Sequence, residues 1–276
     1  MGKLDGKVAF ITGVARGQGR SHALALAEEG ADIIGVDICA QVDTVNYPMS
    51  TPDDLAETVK LVEDRGRRII ARLGDVRDLV LLRDVVAEGV ADLGRLDIVL
   101  ANAGIMTHGL DPADRSVQAW DDGIGVILTG TWNTLQATVP ALVEGGRGGS
   151  IVITSSSAGI KAGWTDTHGG FDSYIAAKFA VVGLMRAYAG RLAEHSIRVN
   201  TVHPTGVATP MVVNEFFSAY MQRYPHIAGR SQNALPVPVI EPIDISRAVL
   251  YLVSDDGRYV TGTTHVVDAG MTSVAS

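Results

Sequence analysis

Short runs of β-branched and aliphatic residues alternate with helix-like stretches along the whole chain, and this alternation restricts the folds open to it. Seven runs are typical of buried strands: Lys7–Thr12, Asp32–Asp37, Ile69–Leu73, Asp97–Ala101, Ser150–Thr154, Ile197–His203 and Thr264–Asp268. Between them, apolar residues recur with the period of an amphipathic helix, as they do from Leu79 to Leu93. The alternation predicts an α/β fold, in which helices cover both faces of a mostly parallel, seven-stranded sheet.

A single domain is expected to span residues 1–276, because no internal repeat, low-complexity tract or linker divides them. Three connections are longer than this architecture needs: the insertions 39–50 and 160–173, and the candidate substrate lid 207–242. A long loop in a compact domain is either functional or a tolerated insertion, and the sequence leaves both interpretations open.

The charge balance and the cysteine content restrict the partners and the compartment. The 23 basic and 31 acidic side chains leave a net charge of −8 without a Lys/Arg-rich run, so neither nucleic acid nor an anionic membrane is expected as a partner. The single Cys39 excludes an intrachain disulfide and fits a reducing compartment, so a cytoplasmic location is expected. Residues 123–143 are uncharged, but their Thr, Asn, Gln and Pro side chains predict a helix buried in protein rather than in a membrane. No metal site is expected.

A glycine-rich turn follows the first predicted strand and opens a helix at about Gly17. Glycines at such a turn let the backbone approach a pyrophosphate, whose charge the helix N-terminus stabilises. Asp37, at the end of the second strand, is suited to bind both ribose hydroxyls of an adenosine and to repel a 2′-phosphate, which favours NAD over NADP. Arg16 favours NADP instead, since a cation beside the glycine turn could bind that phosphate. The alternative for Asp37 is an ordinary solvated acid at a strand end.

The glycine spacing, TGxxxGxG, and four later motifs together resemble the short-chain dehydrogenase/reductase family over essentially the whole chain. These motifs are Asp75-Val76, Asn102-Ala103-Gly104, Tyr174-Ile175-Ala176-Ala177-Lys178 and His203-Pro204-Thr205-Gly206. Each is common alone, but their presence together in this order makes a specific match. The resemblance implies a doubly wound Rossmann domain and an oxidoreductase that uses a nicotinamide cofactor.

The resemblance also implies which residues bind that cofactor. In the family, the Asp75-Val76 pair contacts adenine, the Asn102 motif lines the cofactor cleft, and the turn from Pro204 to Thr209 holds the nicotinamide amide. The expected cofactor-binding residues are Gly13, Arg16, Gly17, Gln18, Gly19, Asp37, Ile38, Asp75, Val76, Asn102, Ala103, Gly104, Tyr174, Lys178, Pro204, Gly206, Val207 and Thr209.

Tyr174 and Lys178 are four residues apart and therefore project from one face of a helix. Oxidising an alcohol requires a base for the hydroxyl proton, and a phenol is a weak base at neutral pH unless a nearby cation stabilises its phenolate. The resemblance implies Ser156 as the third catalytic residue, whose hydroxyl orients the substrate oxygen. Tyr and Lys can also activate a serine nucleophile in a hydrolase, but a nucleotide loop has no role in that chemistry.

One position departs from the family pattern. The family usually has an asparagine in its W-D-x-x-x-x-V-N-L-T-G segment, whereas this chain has Ile127 there. In relatives the asparagine helps to hold a water that links the lysine to solvent, and isoleucine cannot form that hydrogen bond. Asn133 is no simple substitute, because it lies about 240° further round the helix.

The opening of the chain resembles one branch of the family, the carveol dehydrogenase-like, mycofactocin-coupled oxidoreductases of actinobacteria. Gln18 in the glycine loop, the Asp37-Ile38-Cys39 turn and the insertion 39–50 carry this resemblance. It implies that the insertion covers a tightly held NAD. A mycofactocin-type redox partner would then recycle this cofactor in place.

Candidate substrate residues are Ser156, Trp164, Met211 and Phe217, and His168 in the second insertion could also face the substrate. Val213, Phe217, Tyr220 and Tyr224 form an aromatic-rich stripe in the lid, which is typical either of packing or of a ligand wall. No Arg/Lys cluster marks a site for phosphopantetheine or coenzyme A. This favours a small hydrophobic secondary alcohol, terpenoid-like, as the substrate.

Two alternatives remain open: a 3-oxoacyl-(acyl-carrier-protein) reductase and a non-catalytic NAD-binding protein. The family resemblance further implies a homotetramer, whose interface contains the helices that begin near Trp120 and Tyr174.

Overall fold

The computed structural model describes residues 2–110, 116–162 and 171–273. Its strands are β1 (Val8–Thr12), β2 (Asp32–Asp37), β3 (Ile69–Leu73), β4 (Ile98–Ala101), β5 (Gly149–Thr154), β6 (Ile197–Pro204) and β7 (Thr264–Val267). All seven predicted strands are confirmed, and their ends agree with the prediction to within one residue.

Helices connect successive strands, as the periodicity predicts. Their bounds are α1 (Gly17–Glu28), α2 (Pro52–Glu63), α3 (Leu79–Leu93), α4 (Val117–Ile124), α5 (Gly130–Gly145), α6 (Asp172–Leu192), α7 (Glu215–Arg223), α8 (Pro225–Arg230) and α9 (Pro242–Val253). Thr51 caps α2, where the backbone N–H of Asp54 donates to its hydroxyl and the Asp54 carboxylate accepts from the Thr51 N–H. None of the helices within the described ranges is long and apolar enough to cross a membrane.

The strands form one parallel sheet in the order β3-β2-β1-β4-β5-β6-β7. Alternate side chains of β1 enter two separate apolar cores: Val8 and Phe10 pack on one face of the sheet, and Ala9 and Ile11 on the other. Because both faces are covered, the strands are apolar throughout, which explains why they were recognisable in the sequence.

The order of the strands determines where a ligand can bind. The chain passes from β1 outward to β2 and β3, and then returns to place β4 on the other side of β1. At such a switch point the loops that follow neighbouring strands diverge and leave a crevice beyond the carboxyl ends of the strands. The glycine turn after β1 and the Asn102 motif after β4 both lie at this crevice.

Candidate active site

The glycine turn between β1 and α1 requires residues without side chains at two points. Gly13 has φ +70°, in the left-handed region that favours glycine. A Cβ atom on Gly19 would lie 1.8 Å from the carbonyl oxygen of Gly13, which leaves no room for any other residue. Gln18 lies between them, and its Oε1 is buried without a hydrogen-bond partner within the described ranges. The turn therefore offers a bare backbone cradle and an unsatisfied acceptor, both of which fit a bound nucleotide.

Asp37 joins the carboxyl end of β2 to the glycine turn and to the first insertion. Its carboxylate accepts from the backbone N–H of Ala15 at 2.9 Å, from that of Cys39 at 3.1 Å and from the hydroxyl of Ser50 at 2.6 Å. At 7% exposure it is not the solvated acid that was the alternative interpretation. The Arg16 guanidinium donates to the carbonyl of Pro48, so this cation joins the glycine turn to the insertion.

A cavity follows the carboxyl edge of the sheet from the glycine turn to the Asn102 motif. Thirteen of the expected cofactor residues line it: Gly13, Arg16, Gly17, Gln18, Gly19, Asp37, Ile38, Asp75, Val76, Asn102, Ala103, Gly104 and Thr209. Asn102 is held in place from two strands, because its amide donates to the carbonyl of Thr12 at 3.0 Å and its Oδ1 accepts from Thr154 at 3.3 Å. We refer to this space as the nucleotide cavity.

A second cavity adjoins the first and has a volume of about 560 Å³. The two share Gln18, Asn102, Gly104, Thr209 and Met211 in their walls. The remaining expected residues of the described chain line the second cavity: Ser156, Tyr174, Lys178, Pro204, Gly206, Val207 and Phe217. We refer to it as the substrate cavity.

The Ser156, Tyr174 and Lys178 side chains line the substrate cavity, and Lys178 lies beside Gly104, which lines both cavities. The Lys178 ammonium group lies 5.5 Å from the centroid of the Tyr174 ring and donates to the carbonyl of Thr154 at 2.7 Å. Ser156 forms a hydrogen bond with Tyr174, and its hydroxyl also accepts from the backbone N–H of Ala158 at 3.1 Å. One side of this cluster is the end of β5, and the other is the first turns of α6.

Burial sets the protonation behaviour of this cluster. It lowers the pKa of Lys178 to about 7, because a cation is poorly solvated there. Burial raises the pKa of Tyr174, and the hydrogen bond with Ser156 opposes that rise. Lys178 therefore gains and loses its proton near neutral pH, whereas burial makes Tyr174 harder to deprotonate. Perturbed pKa values in a buried cluster are typical of acid–base sites.

Comparison with known proteins gives the family of the chain. A family model described as enoyl-(acyl carrier protein) reductase matches residues 13–272. A (-)-trans-carveol dehydrogenase of Rhodococcus erythropolis is 49% identical over 280 residues, which cover 99% of both chains. A putative short-chain type dehydrogenase/reductase of Mycolicibacterium smegmatis is 54% identical over 98% of both chains. The crystal structure of carveol dehydrogenase from Mycobacterium avium in complex with NAD has a TM-score of 0.92 and 49% identity, covering 99% of this chain and 100% of that one.

The chain belongs to the short-chain dehydrogenase/reductase family. The resemblance inferred from the sequence is therefore confirmed. The predicted similarity to carveol dehydrogenases is confirmed too, since two of the relatives are carveol dehydrogenases that are 49% identical to this chain. No group of three or more His, Cys, Asp or Glu side chains that could hold a metal ion occurs in the described part of this dehydrogenase/reductase.

The two ends of the lid of this dehydrogenase/reductase pair with each other: the Ala208 N–H donates to the carbonyl of Ile240 at 2.8 Å, and the Ile240 N–H donates to the carbonyl of Gly206 at 2.9 Å. Of the predicted stripe, Phe217 lines the substrate cavity and Tyr220 is buried. The prediction that Val213 belongs to this stripe is wrong. Val213 is 63% exposed and precedes α7, which begins at Glu215 after the N-cap Asn214. Trp164 and His168, the candidates in the second insertion, lie outside the described residues.

Ile127 lies in a π-helical segment, Gly125–Thr129, that joins α4 to α5. Its side chain is 1% exposed and approaches the place where Gly104 and Lys178 meet. Asn133 donates to the carbonyls of Val76 and Arg77 at 2.9 and 3.0 Å, on the side of the nucleotide cavity. It therefore does not replace the family asparagine.

The sequence analysis missed two kinds of site residue. Apolar residues of the first insertion, Val42, Tyr47 and Met49, line the nucleotide cavity. The number of apolar residues in this loop was the sequence signal that could have identified them. His203 was recognised as part of a motif without a role, and its ring contacts the carbonyl of Ser156 at 2.8 Å and so positions that residue.

Proposed function

We propose that this enzyme oxidises a small hydrophobic secondary alcohol, carveol-like or otherwise terpenoid, to its ketone with NAD as hydride acceptor. One observation carries the proposal: Ser156, Tyr174 and Lys178 line a largely apolar cavity that shares part of its wall with the nucleotide cavity. The carveol dehydrogenase relatives support the choice of substrate class.

Each of the three side chains has a separate role in removing the hydroxyl proton of the alcohol. The Ser156 hydroxyl donates to the alcohol oxygen and orients it, and the Tyr174 hydroxyl oxygen, as phenolate, accepts the hydroxyl proton. Lys178, whose Nζ lies 5.5 Å from the centroid of the Tyr174 ring, stabilises that phenolate through space and keeps its position through the Thr154 carbonyl. When bound, the nicotinamide supplies the hydride acceptor. In the direction of ketone reduction, Tyr174 returns the proton.

The choice of NAD over NADP rests on Asp37. A carboxylate at this end of β2 accepts ribose hydroxyls, whereas a 2′-phosphate would meet its negative charge. Arg16, the cation that could have compensated, donates to Pro48.

We further propose that the insertion 39–50 retains the NAD, so that a mycofactocin-type redox partner reoxidises it in place. Steady-state rates of such an enzyme are measured with a dye that reoxidises the bound NADH instead of that partner. Contacts on three sides hold the insertion: Arg16 with Pro48, Ser50 with Asp37, and Thr44, whose hydroxyl donates to Asp122 at 2.7 Å. Nucleotide extracted from the denatured protein after gel filtration should be stoichiometric NAD. Arg16→Ala should lower that content, and Arg247→Ala, at an arginine whose side chain is 71% exposed, should not.

The alternative is a 3-oxoacyl-(acyl-carrier-protein) reductase. The matching family model is named for a different reaction of acyl carrier protein substrates, enoyl reduction. The lining of the substrate cavity opposes it, because Lys178 is the one Lys or Arg among the described lining residues and it belongs to the catalytic cluster. Carveol with NAD and acetoacetyl thioesters with NADPH should be compared at equal protein concentration. Turnover of carveol alone supports the proposal, and turnover of the thioester alone replaces it with the alternative. A protein that turns over neither, yet binds NAD, would be the non-catalytic NAD-binding protein.

We also propose that the chain forms a homotetramer through the faces of α4, α5 and α6. Large apolar side chains are exposed there, with Trp120 at 45%, Trp132 at 42% and Phe179 at 42%. Exposed apolar groups of this size are typical of subunit contacts. Light scattering coupled to gel filtration should give four times the 29.1 kDa chain mass.

A further inference from the structure

His108 is a buried polar side chain that neither the fold nor the proposed mechanism explains. It is 2% exposed, and neither ring nitrogen has a hydrogen-bond partner among residues 2–110, 116–162 and 171–273. Burial lowers its pKa to about 3, so the ring is neutral at working pH and carries one N–H donor and one acceptor. An unpaired buried polar group destabilises a fold, so the folded chain would be more stable with phenylalanine, which has a planar ring without nitrogen, at this position.

Among the described residues, four aromatic rings surround His108. Phe171 stacks on it with centroids 4.3 Å apart, and three rings of α7 meet it at an angle: Phe216 at 5.2 Å, Phe217 at 6.1 Å and Tyr220 at 4.8 Å. Two of the four, Phe171 and Phe217, line the substrate cavity. His108 therefore lies one ring behind the wall of that cavity.

The position of His108 relates it to the reaction centre. Phe171 precedes Tyr174 by three residues at the start of α6, a spacing that brings side chains together on one side of a helix. Phe217 belongs to α7, a nine-residue helix in which Tyr220 is the buried residue. Side-chain rotamers commonly change when a ligand binds. His108 does not itself line the cavity, so contact between its ring and a ligand requires Phe217 to rotate out of the wall.

Resting on the proposed function, we propose that His108 is a specificity-determining residue that forms a hydrogen bond with a second oxygen of the substrate. The preferred substrates are then cyclic alcohols that carry a hydroxyl or carbonyl group besides the reacting one. Such an oxygen satisfies a ring nitrogen that is otherwise unpaired, whereas an alcohol with one hydroxyl group leaves it unpaired.

The test compares cyclohexanol with cyclohexane-1,4-diol in wild type and in His108→Phe, which preserves a planar ring without nitrogen. The variant should lower kcat/KM for the diol by roughly tenfold, the effect of one net hydrogen bond, and leave that for cyclohexanol within about twofold. It should also raise Tm by about 2–4 °C, because the unpaired nitrogens are gone. His108→Asn, which retains a donor and an acceptor, should recover part of the preference for the diol.

Phe216→Leu is the matched control, because Phe216 contacts His108 but is not among the residues that line the cavity. It should leave the ratio of the two kcat/KM values unchanged. If His108→Phe does not fold, His108→Leu provides the same comparison. An unchanged ratio, or an equal loss for both alcohols, overturns the proposal and leaves His108 with a packing role.

If wild type oxidises neither of these alcohols nor carveol, the proposed function fails on its own. The question about His108 is then decided by binding, through the thermal shift that each alcohol causes in the NAD-loaded protein. A diol-specific shift that His108→Phe removes supports the proposal, and a shift that His108→Phe does not change overturns it.

Discussion

Replacing Lys178 by methionine should abolish activity and also stabilise the folded chain, by an amount that depends on pH. Burial lowers the pKa of Lys178 from 10.5 to about 7, which corresponds to a penalty of about 5 kcal/mol for burying the cation. Below pH 7 the lysine is protonated in both the folded and the unfolded chain, so the whole penalty applies. Between pH 7 and 10.5 the folded chain holds a neutral amine while the unfolded chain remains protonated, so the penalty falls by about 1.4 kcal/mol per pH unit.

The measurement is urea unfolding of wild type and Lys178→Met at pH 6 and at pH 9. The advantage of the variant should be about 3 kcal/mol smaller at pH 9 than at pH 6. The lost hydrogen bond to the Thr154 carbonyl reduces the advantage at both pH values and so does not affect this difference. Lys60→Met, at an exposed lysine paired with Asp64, is the control and should show no such trend. An advantage that is constant with pH, or that grows towards pH 9, would refute the protonation behaviour assigned to the site.

Three further substitutions test individual roles. Tyr174→Phe should lower kcat for alcohol oxidation by about 10²–10⁴-fold with bound NAD unchanged, and activity near that of wild type would remove Tyr174 as the base. Asp37→Ala should raise the ratio of NADP to NAD binding constants of the nucleotide-free protein by about tenfold. It should also cost about 2–4 kcal/mol in unfolding free energy, because Ser50 and two backbone N–H groups lose their acceptor. Ile127→Asn should raise steady-state turnover if proton release limits the rate, because asparagine can form the hydrogen bond that isoleucine cannot. An unchanged or lower rate in a folded, NAD-loaded variant would contradict the idea that Ile127 blocks proton release.

The elements with local signals were predictable from the sequence. The strands are continuous apolar runs because both faces of the sheet are covered, and the start of α2 is marked by Thr51, Pro52 and Asp54. The glycine turn was predictable for the same reason, since Gly13 and Gly19 occupy positions where no other residue fits.

The features that depend on distant contacts were not predictable. The π-helical segment at Gly125–Thr129 is a shift of hydrogen-bond register, and no residue type marks it. The His108 ring cluster joins three separate parts of the chain. Val213 was placed in the lid stripe because its spacing fits a helix, although Asn214 is the N-cap and excludes it from that helix. Here a capping residue was a better guide than periodicity.

Absorbance at the reduced-nicotinamide band, recorded as carveol is mixed with the protein purified without added nucleotide, tests the central claim most directly. The account predicts a rapid rise whose amplitude equals the enzyme concentration, with no further increase on addition of free NAD. Continuous turnover with free NAD would contradict retention of the cofactor, although hydride transfer from the alcohol would stand. A flat trace under both conditions would contradict the oxidation of carveol-like alcohols.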